Sequence, residues 1–436
     1  MGSAINIALP VIGMEFNASA ISVSWISTAF LLTTAITLLP FGKFSDIYGR
    51  AKFFKLGVMI FAVSSLVCGL SSNTVLMIAF RSLQGVGSSM ISTTAITILV
   101  SIFPITSRGK MIGINTTGVY LGLSSGPFLG GLILQYIGWR YIFYSSFLLM
   151  AICGILALIV IRQDWYEKTE TVDFKGSVYY IIIFSVIVLG LTSIKSIFGI
   201  ILFAIGILLL YVFIKSESKI ENPILDLNIF RTNKQFTFSN IAALINYLST
   251  FAIAFLMSLY LQTVRELSAQ QAGIILVTQP IMMAVFSPLA GIISDRIEPR
   301  IVASIGMAIL SVGLIVFIFL TPYTSIAIIV FNLAFIGFGF ALFSSPNTNA
   351  VMSSVDKKYF GVAASTLGSM RMFGQLLSMS FVTIIFSFVI GPVKIEHSVS
   401  NQLLISLRYI FITFSILSIF AIFASLFRGT IHEKNS

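Results

Sequence analysis

Charge is what this chain has least of. Only 9% of its 436 residues are Asp, Glu, Lys or Arg, while 57% are hydrophobic and the mean hydropathy is +1.02. A soluble domain carries about 25% charged residues, so no water-facing surface of the usual kind can be built. There are two cysteines, Cys68 and Cys153, both within apolar runs, which excludes a disulfide framework and a thiolate metal site. The two histidines, His397 and His432, fall in a loop and in the tail, so neither a metal nor a cofactor is expected. No G-x-x-x-x-G-K-[ST] sequence is present, and ATP is not the direct driver of whatever the chain does. An intramembrane enzyme would need a Ser–His pair or two aspartates at membrane depth, and the apolar runs hold neither. A channel's rings of charge are missing too, and the tail from Arg428 to Ser436 is too short for a signalling domain.

What is present is a series of long apolar runs. About 20 apolar residues cross a hydrocarbon core as a helix, because each backbone polar group must find its partner inside the segment. Hydropathy predicts fourteen such spans: 1–13 (short), 22–41, 53–70, 75–103, 111–135, 141–161, 177–194, 197–214, 236–261, 272–293, 301–320, 326–355, 360–390 and 403–427. The loops between them alternate in charge. Nineteen Lys and Arg fall on one side and five on the other, with Arg81 and Arg371 inside spans. The positive-inside rule places the richer side, and the C-terminus with it, in the cytoplasm. The net charge of +11 is therefore a topology signal and not a nucleic-acid footprint. A multi-pass protein of the plasma membrane is expected, acting as a monomer in a lipid bilayer.

Two polar stretches, 163–175 and 216–235, bracket the spans at 177–194 and 197–214. The expected organisation is an N-terminal six-helix bundle (1–162), an inserted helix pair (163–215), a cytoplasmic linker (216–235) and a C-terminal six-helix bundle with a short tail (236–436). An internal repeat supports two related halves: Gly42-Lys43-Phe44-Ser45-Asp46 and Gly291-Ile292-Ile293-Ser294-Asp295 both read G-x-x-S-D, 249 residues apart, each after the second span of its half. Paired six-helix repeats around a central cavity are a transporter plan.

The first of these segments continues as Gly42-x-x-x-Asp46-x-x-Gly49-Arg50, which resembles the loop signature of the major facilitator superfamily between its second and third helices. The resemblance covers nearly the whole chain. Gly42 and Gly49 permit close approach and positive φ, and Asp46 beside Arg50 can bridge to a helix end or a neighbouring helix. In the fourth span, Arg81-Ser82-Leu83-Gln84-Gly85-Val86-Gly87 is similar to the R-x-x-Q-G-x-G signature of proton-coupled facilitators. An arginine at this depth is costly and points to function; a structural arginine bonded to backbone carbonyls is the other reading. Arg371 is a comparable residue in the later half. In the fifth span, Gly122-Leu123-Ser124-Ser125-Gly126-Pro127-Phe128-Leu129-Gly130-Gly131 matches the G-x-x-x-G-P-x-x-G-G signature of drug:proton antiporters. Small residues four apart allow a close helix contact, and Pro127 removes a backbone donor. Gly138–Phe143, Asn222–Arg231 and the inserted pair further resemble the fourteen-helix drug:proton antiporter family, although Tyr144–Phe147 departs from its pattern.

The resemblance implies an all-α membrane protein of the major facilitator fold, two six-helix bundles plus two inserted helices, exporting small amphipathic organic compounds by proton antiport with alternating access. The gating and coupling residues it implies are Arg81, Gln84, Asp46, Arg50, Asp295 and Arg371. An uptake or metabolite permease of the same fold, or a facilitator without proton coupling, stays open. Two departures stand out. Asn6-Ile7-Ala8-Leu9-Pro10 fits the family's first helix, but Met1 stands where an aspartate is usual, so a first helix lacking its front is expected. Every Asp and Glu lies at a span edge or in a loop, which leaves coupling to an edge acid, to a proton released by the substrate, or absent, and argues against selection for cations. Polar or aromatic residues inside spans are candidates for lining the substrate cavity: Asn6, Trp25, Asn115, Asn240, Asn246, Tyr247, Gln279 and Asn347.

Overall fold

The computed structural model describes residues 2–102, 118–119, 122, 125–126, 128–165, 173–217, 227–355, 360–391 and 400–428. All regular structure among them is helical. The elements are α1 (Gly2–Glu15), α2 (Ala20–Tyr48), α3 (Arg50–Gly69), α4 (Thr74–Ile102), α5 (Arg140–Val160), α6 (Phe174–Thr192), α7 (Ile197–Glu217), α8 (Leu227–Thr232), α9 (Lys234–Thr250), α10 (Ile253–Leu259), a π-helical turn (Tyr260–Val264), α11 (Ala269–Leu276), α12 (Thr278–Arg296), α13 (Pro299–Ile318), α14 (Ile326–Ser353), α15 (Phe360–Val389) and α16 (Ser400–Leu426). Residues 128–136 are helical as well.

Eleven stretches among the described residues are long and apolar enough to cross a bilayer. Of the other three expected spans, α1 has 14 residues and is about 21 Å long, α4 has 29 residues, and 111–135 is described only in part. Helix starts carry their own acceptors where the chain leaves the apolar run. Asp173 caps α6 through Gly176 N (2.8 Å), Asn233 caps α9 through Phe236 N (2.9 Å), and Ser268 and Gln271 form a capping box on α11. The span Lys234–Val264 is broken between α9 and α10, where Ala252 N–H donates to Ser378 Oγ at 3.2 Å. A side chain thus replaces a lost helical bond, as interrupted backbone at membrane depth requires.

Contacts group the chain into two units. One comprises Met1–Ile21, Thr117–Gly138 and Ile229–Ser436, and the other Ser22–Thr116 and Trp139–Asn228. In the first, α1 packs on α10 and α11. In the second, α6 and α7 pair closely: a Cβ on Gly206 would lie 2.6 Å from Ile187 Cγ1, and one on Gly190 would collide with the Phe203 backbone. Small residues at these crossings let the backbones meet.

The G-x-x-S-D repeat is also a repeat in three dimensions. Ser45 Oγ donates to Gly42 O at 2.8 Å, and Ser294 Oγ donates to Gly291 O at 2.7 Å. In one unit α3 crosses α4 at Gly57 and Gly87, where each added Cβ would fall 3.0 and 2.8 Å from the other's carbonyl oxygen. In the other, α13 crosses α14 at Gly306 and Gly339, with the corresponding distances 2.6 and 2.9 Å. Gly57 and Gly306 are 249 residues apart, the spacing already seen between the two aspartates.

Candidate functional site

The R-x-x-Q-G-x-G residues of α4 divide their work between two neighbours. Gly85 faces α2, where a Cβ would strike Thr33 Oγ1 and Phe30 O, and Gly87 faces α3. The close approach to α2 is tied by hydroxyls. Thr33 Oγ1 donates to Ser82 O (2.8 Å), Thr34 Oγ1 to Gly85 O (3.2 Å), and the Thr37 and Ser89 hydroxyls are hydrogen-bonded to each other (2.6 Å). Arg81, 2% exposed, sits above these contacts. Its Nε donates to Ile26 O at 3.2 Å, its Nη1 to Gln84 Oε1, and its charge lies 4.2 Å from the centre of the Phe30 ring. Gln84 Nε2 passes the network on to Ser65 Oγ at 2.6 Å. Arg81 and Gln84 are thus brought together and stitch α2, α3 and α4, with a carbonyl, an amide and a ring face as the arginine's partners. Trp25 of α2 is half-buried in the same unit.

At the other end of α2, Asp46 is helical and its side chain is outside the described residues. Arg50 opens α3, with Nη1 donating to Ser101 Oγ at 2.9 Å. The acid that the structure puts at this corner is Asp164, one of the acids that lie outside the apolar runs of the sequence. Gly49 adopts φ +117°, a left-handed region suited to glycine, and any Cβ there would collide with the Asp164 carboxylate. Asp164 Oδ1 accepts from Ala51 N at 2.9 Å, and Trp165 O accepts from Arg50 N at 3.0 Å. Lys55 Nζ donates to Ile161 O at 2.7 Å. The segment after α5 therefore supplies the acceptors that the first turn of α3 lacks.

In the other unit, Asp295 lies near the end of α12, again with its side chain outside the described residues. Asn115 and Pro127 are likewise outside them, while Gly122 is helical with open space around it and Gly126 is half-buried. The close approach in the antiporter-like motif falls on its last two glycines. A Cβ on Gly130 would lie 2.8 Å from Ala4 Cβ of α1, and one on Gly131 2.9 Å from Ala269 O at the start of α11. Asn6 is buried in α1, whose Ile7 O accepts from Gln262 Nε2 at 3.0 Å. Asn240 and Asn246 are buried in α9; their amides donate to Phe236 O (2.8 Å) and Met307 Sδ (2.9 Å), and neither Oδ1 has a partner among the described residues. Gln279 is half-buried where α12 touches α14, its backbone carbonyl against Gly337.

Two arginines meet neighbouring residues of α14. Arg428, 2% exposed and just past α16, donates to Asn347 Oδ1 at 2.9 Å, to Ser425 O at 2.8 Å, to Ser425 Oγ, and to Ser239 Oγ at 3.5 Å. Asn347 Nδ2 also reaches Ser239 O (3.2 Å), and Ser304 of α13 donates to Ser425 Oγ (2.9 Å). Burial lowers the Arg428 guanidinium to about 9, which leaves it charged at neutral pH. Asn347, expected in a cavity, is thus committed inside the bundle. Nothing in the local pattern separates Arg428 from the other basic residues of the tail. Arg371 of α15 donates through Nη2 to Thr348 Oγ1 at 2.7 Å, and its charge lies 5.6 Å from the Tyr247 ring centre. The predicted residues Arg371 and Tyr247 are therefore together, with Thr348 as an unforeseen partner.

Bundled apolar helices of spanning length define a multi-pass membrane protein. Residues 1–379, and again 239–436, match the family model of the Major Facilitator Superfamily, and the chain belongs to that superfamily. It is similar to the riboflavin transporter RibZ of Clostridioides difficile, 28% identical over 387 residues that cover 88% of this chain and 84% of that protein. It is also similar to the multidrug resistance protein Stp of Mycobacterium tuberculosis, 27% identical over 386 residues that cover 86% and 71% of the two chains. Among solved structures it shares its fold with a bacterial homolog of the human lysosomal transporter Spinster, at a TM-score of 0.71 and 15% identity, covering 98% of this chain and 93% of that one. The chain is thus a membrane-embedded transporter of small molecules, and its relatives are transporters and not enzymes.

Proposed function

We propose that this transporter belongs to the fourteen-helix drug:proton antiporter family and exports small amphipathic organic compounds across the plasma membrane. The ten-residue motif ending in Gly130 and Gly131 carries the reading. Its two closing glycines rest directly on α1 and on the start of α11. A contact without side-chain knobs can slide as a cavity changes its access, because no rotamers must be cleared. The sequence order of six, two and six helices, the cytoplasmic C-terminus and the monomeric state belong to the same proposal. So do the gating roles of Asp46, Arg50 and Asp295, and the coupling role of Arg81 and Gln84. Arg81 acts here by holding α2, α3 and α4 in register. Protons are the counter-substrate, and the spans of the sequence hold no carboxylate to carry them, so exchange draws on an edge acid or on the substrate's own proton.

The test is dye movement in inside-out vesicles with and without an imposed pH gradient. Accumulation that rises when the vesicle interior is acidified supports antiport; accumulation indifferent to the gradient overturns it. A second reading, a permease for a metabolite, is favoured by the similarity to a riboflavin transporter over 84% of its length. Riboflavin counterflow without dye movement would establish that reading instead.

A further inference from the structure

Arg371 differs from Arg81 in how its donors are used. It lies in the span Thr366–Val389, five residues from its start, yet it is only half-buried, as are Thr348 and Tyr247 beside it. A guanidinium has five N–H donors and no acceptor. One donor goes to Thr348 Oγ1, the charge lies 5.6 Å from the centre of the Tyr247 ring, and Nε is enclosed with no acceptor among the described residues. α15 approaches α9 closely here, since a Cβ on Gly374 would collide with Leu244 O. The three helices around the arginine, α9, α14 and α15, contain no Asp or Glu. A charged group at this depth is costly to leave facing acyl chains uncompensated, and its half-burial beside two half-buried polar neighbours leaves part of the guanidinium accessible.

We propose that Arg371, with Thr348 and Tyr247, is the recognition site for the carboxylate of an amphipathic organic anion. This deepens the substrate side of the transport reading and rests on it. The planar fork of a guanidinium matches a carboxylate through two parallel hydrogen bonds. Thr348 holds one edge of the fork and fixes its plane, and the Tyr247 ring lies against the cation and offers an apolar wall for the body of the ligand. Every Asp and Glu of the sequence lies at a span edge or in a loop, which fits the same class, because a site for cations would need one deeper.

The experiment uses the purified full chain in detergent, with pyrenebutyrate and its neutral methyl ester as matched probes and binding read by energy transfer from tryptophan. The carboxylate is expected to bind about 10- to 100-fold more tightly than the ester, the range for a hydrogen bond to a charged group. Arg371→Gln is expected to abolish that preference and leave ester affinity unchanged, which also reports that the variant is folded. Wild-type protein that binds the carboxylate no better than the ester, or R371Q that weakens both probes alike, overturns the site. Should R371Q fail to fold, Arg371→Lys and Thr348→Val decide: the preference shrinks several-fold in each, and an unchanged preference in both overturns the proposal. These are binding measurements without a gradient, so their failure is distinct from failure of the vesicle assay for antiport.

Discussion

The two G-x-x-S-D corners begin alike and are finished differently. In both, the serine folds back on the glycine carbonyl three residues earlier, and the helix that follows crosses its partner at a glycine pair. They differ in what the chain brings back after the last helix of the half. After α5 it brings an acid, and Asp164 caps α3 at Ala51 N. After α16 it brings a base, and Arg428 is drawn into a cluster of hydroxyls and amides from α9, α14 and α16. The starting residue of each third helix accounts for half of this. α3 begins at Arg50 with N–H groups in need of acceptors, whereas α13 begins at Pro299, which has none to satisfy at that position. Repetition has kept the crossing and let the closure diverge, because a crossing depends on backbone separation and a closure only on finding a polar partner.

The glycine crossings offer the hardest way to break this comparison. Gly87→Leu and Gly339→Leu are each expected to destabilise by about 3 kcal/mol or more, beyond the usual range for an overpacked core, because the new side chain meets backbone that cannot turn aside. Loss of monodisperse protein on size exclusion checks it, and one variant tolerated while the other is lost would show that the crossings are not equivalent.

Next come the two closures. Arg428→Ala leaves Asn347 Oδ1 buried without its donor and is expected to cost about 2 kcal/mol. Asp164→Ala removes a helix cap and is expected to cost about 1 kcal/mol. Thermal melts in detergent rank them, and Asp164 proving the costlier would invert the view that the later closure is the more buried one. Smallest of all, Ser45→Ala and Ser294→Ala are expected to shift stability by about 0.5 kcal/mol each, because each hydroxyl bonds a carbonyl of its own helix. Unequal melts would mean that Asn349, 3.5 Å from Ser294 Oγ, makes the second corner different.

Much of the fold is readable along the chain, since apolar runs of this length have to become helices in a bilayer. The repeat, the glycines of α4 and the spacing of Arg81 and Gln84 one helical turn apart are local patterns, legible as such. Arg81 and Arg371 show where legibility stops. Both are arginines in apolar spans, and nothing beside them in the sequence tells that Ile26 O and Gln84 take up the donors of one while Nε of the other is left without an acceptor. Asn240 and Asn347 were equal candidates for a cavity, and a residue 81 positions away decides that Asn347 is committed to Arg428.

By itself, then, the sequence determined a membrane-embedded, all-helical chain, because hydrophobic length and backbone hydrogen bonding make such runs helices in a bilayer. Its repeat pointed to two halves and its motifs to a resemblance with transporters. Only the tertiary structure decided which polar groups are spent inside the bundles and which keep donors or acceptors in reserve. Hydrogen-bond partners in a helical membrane protein come from segments distant in the chain, as Asp164 does for Ala51 and Arg428 for Ser239, and no local pattern encodes that meeting.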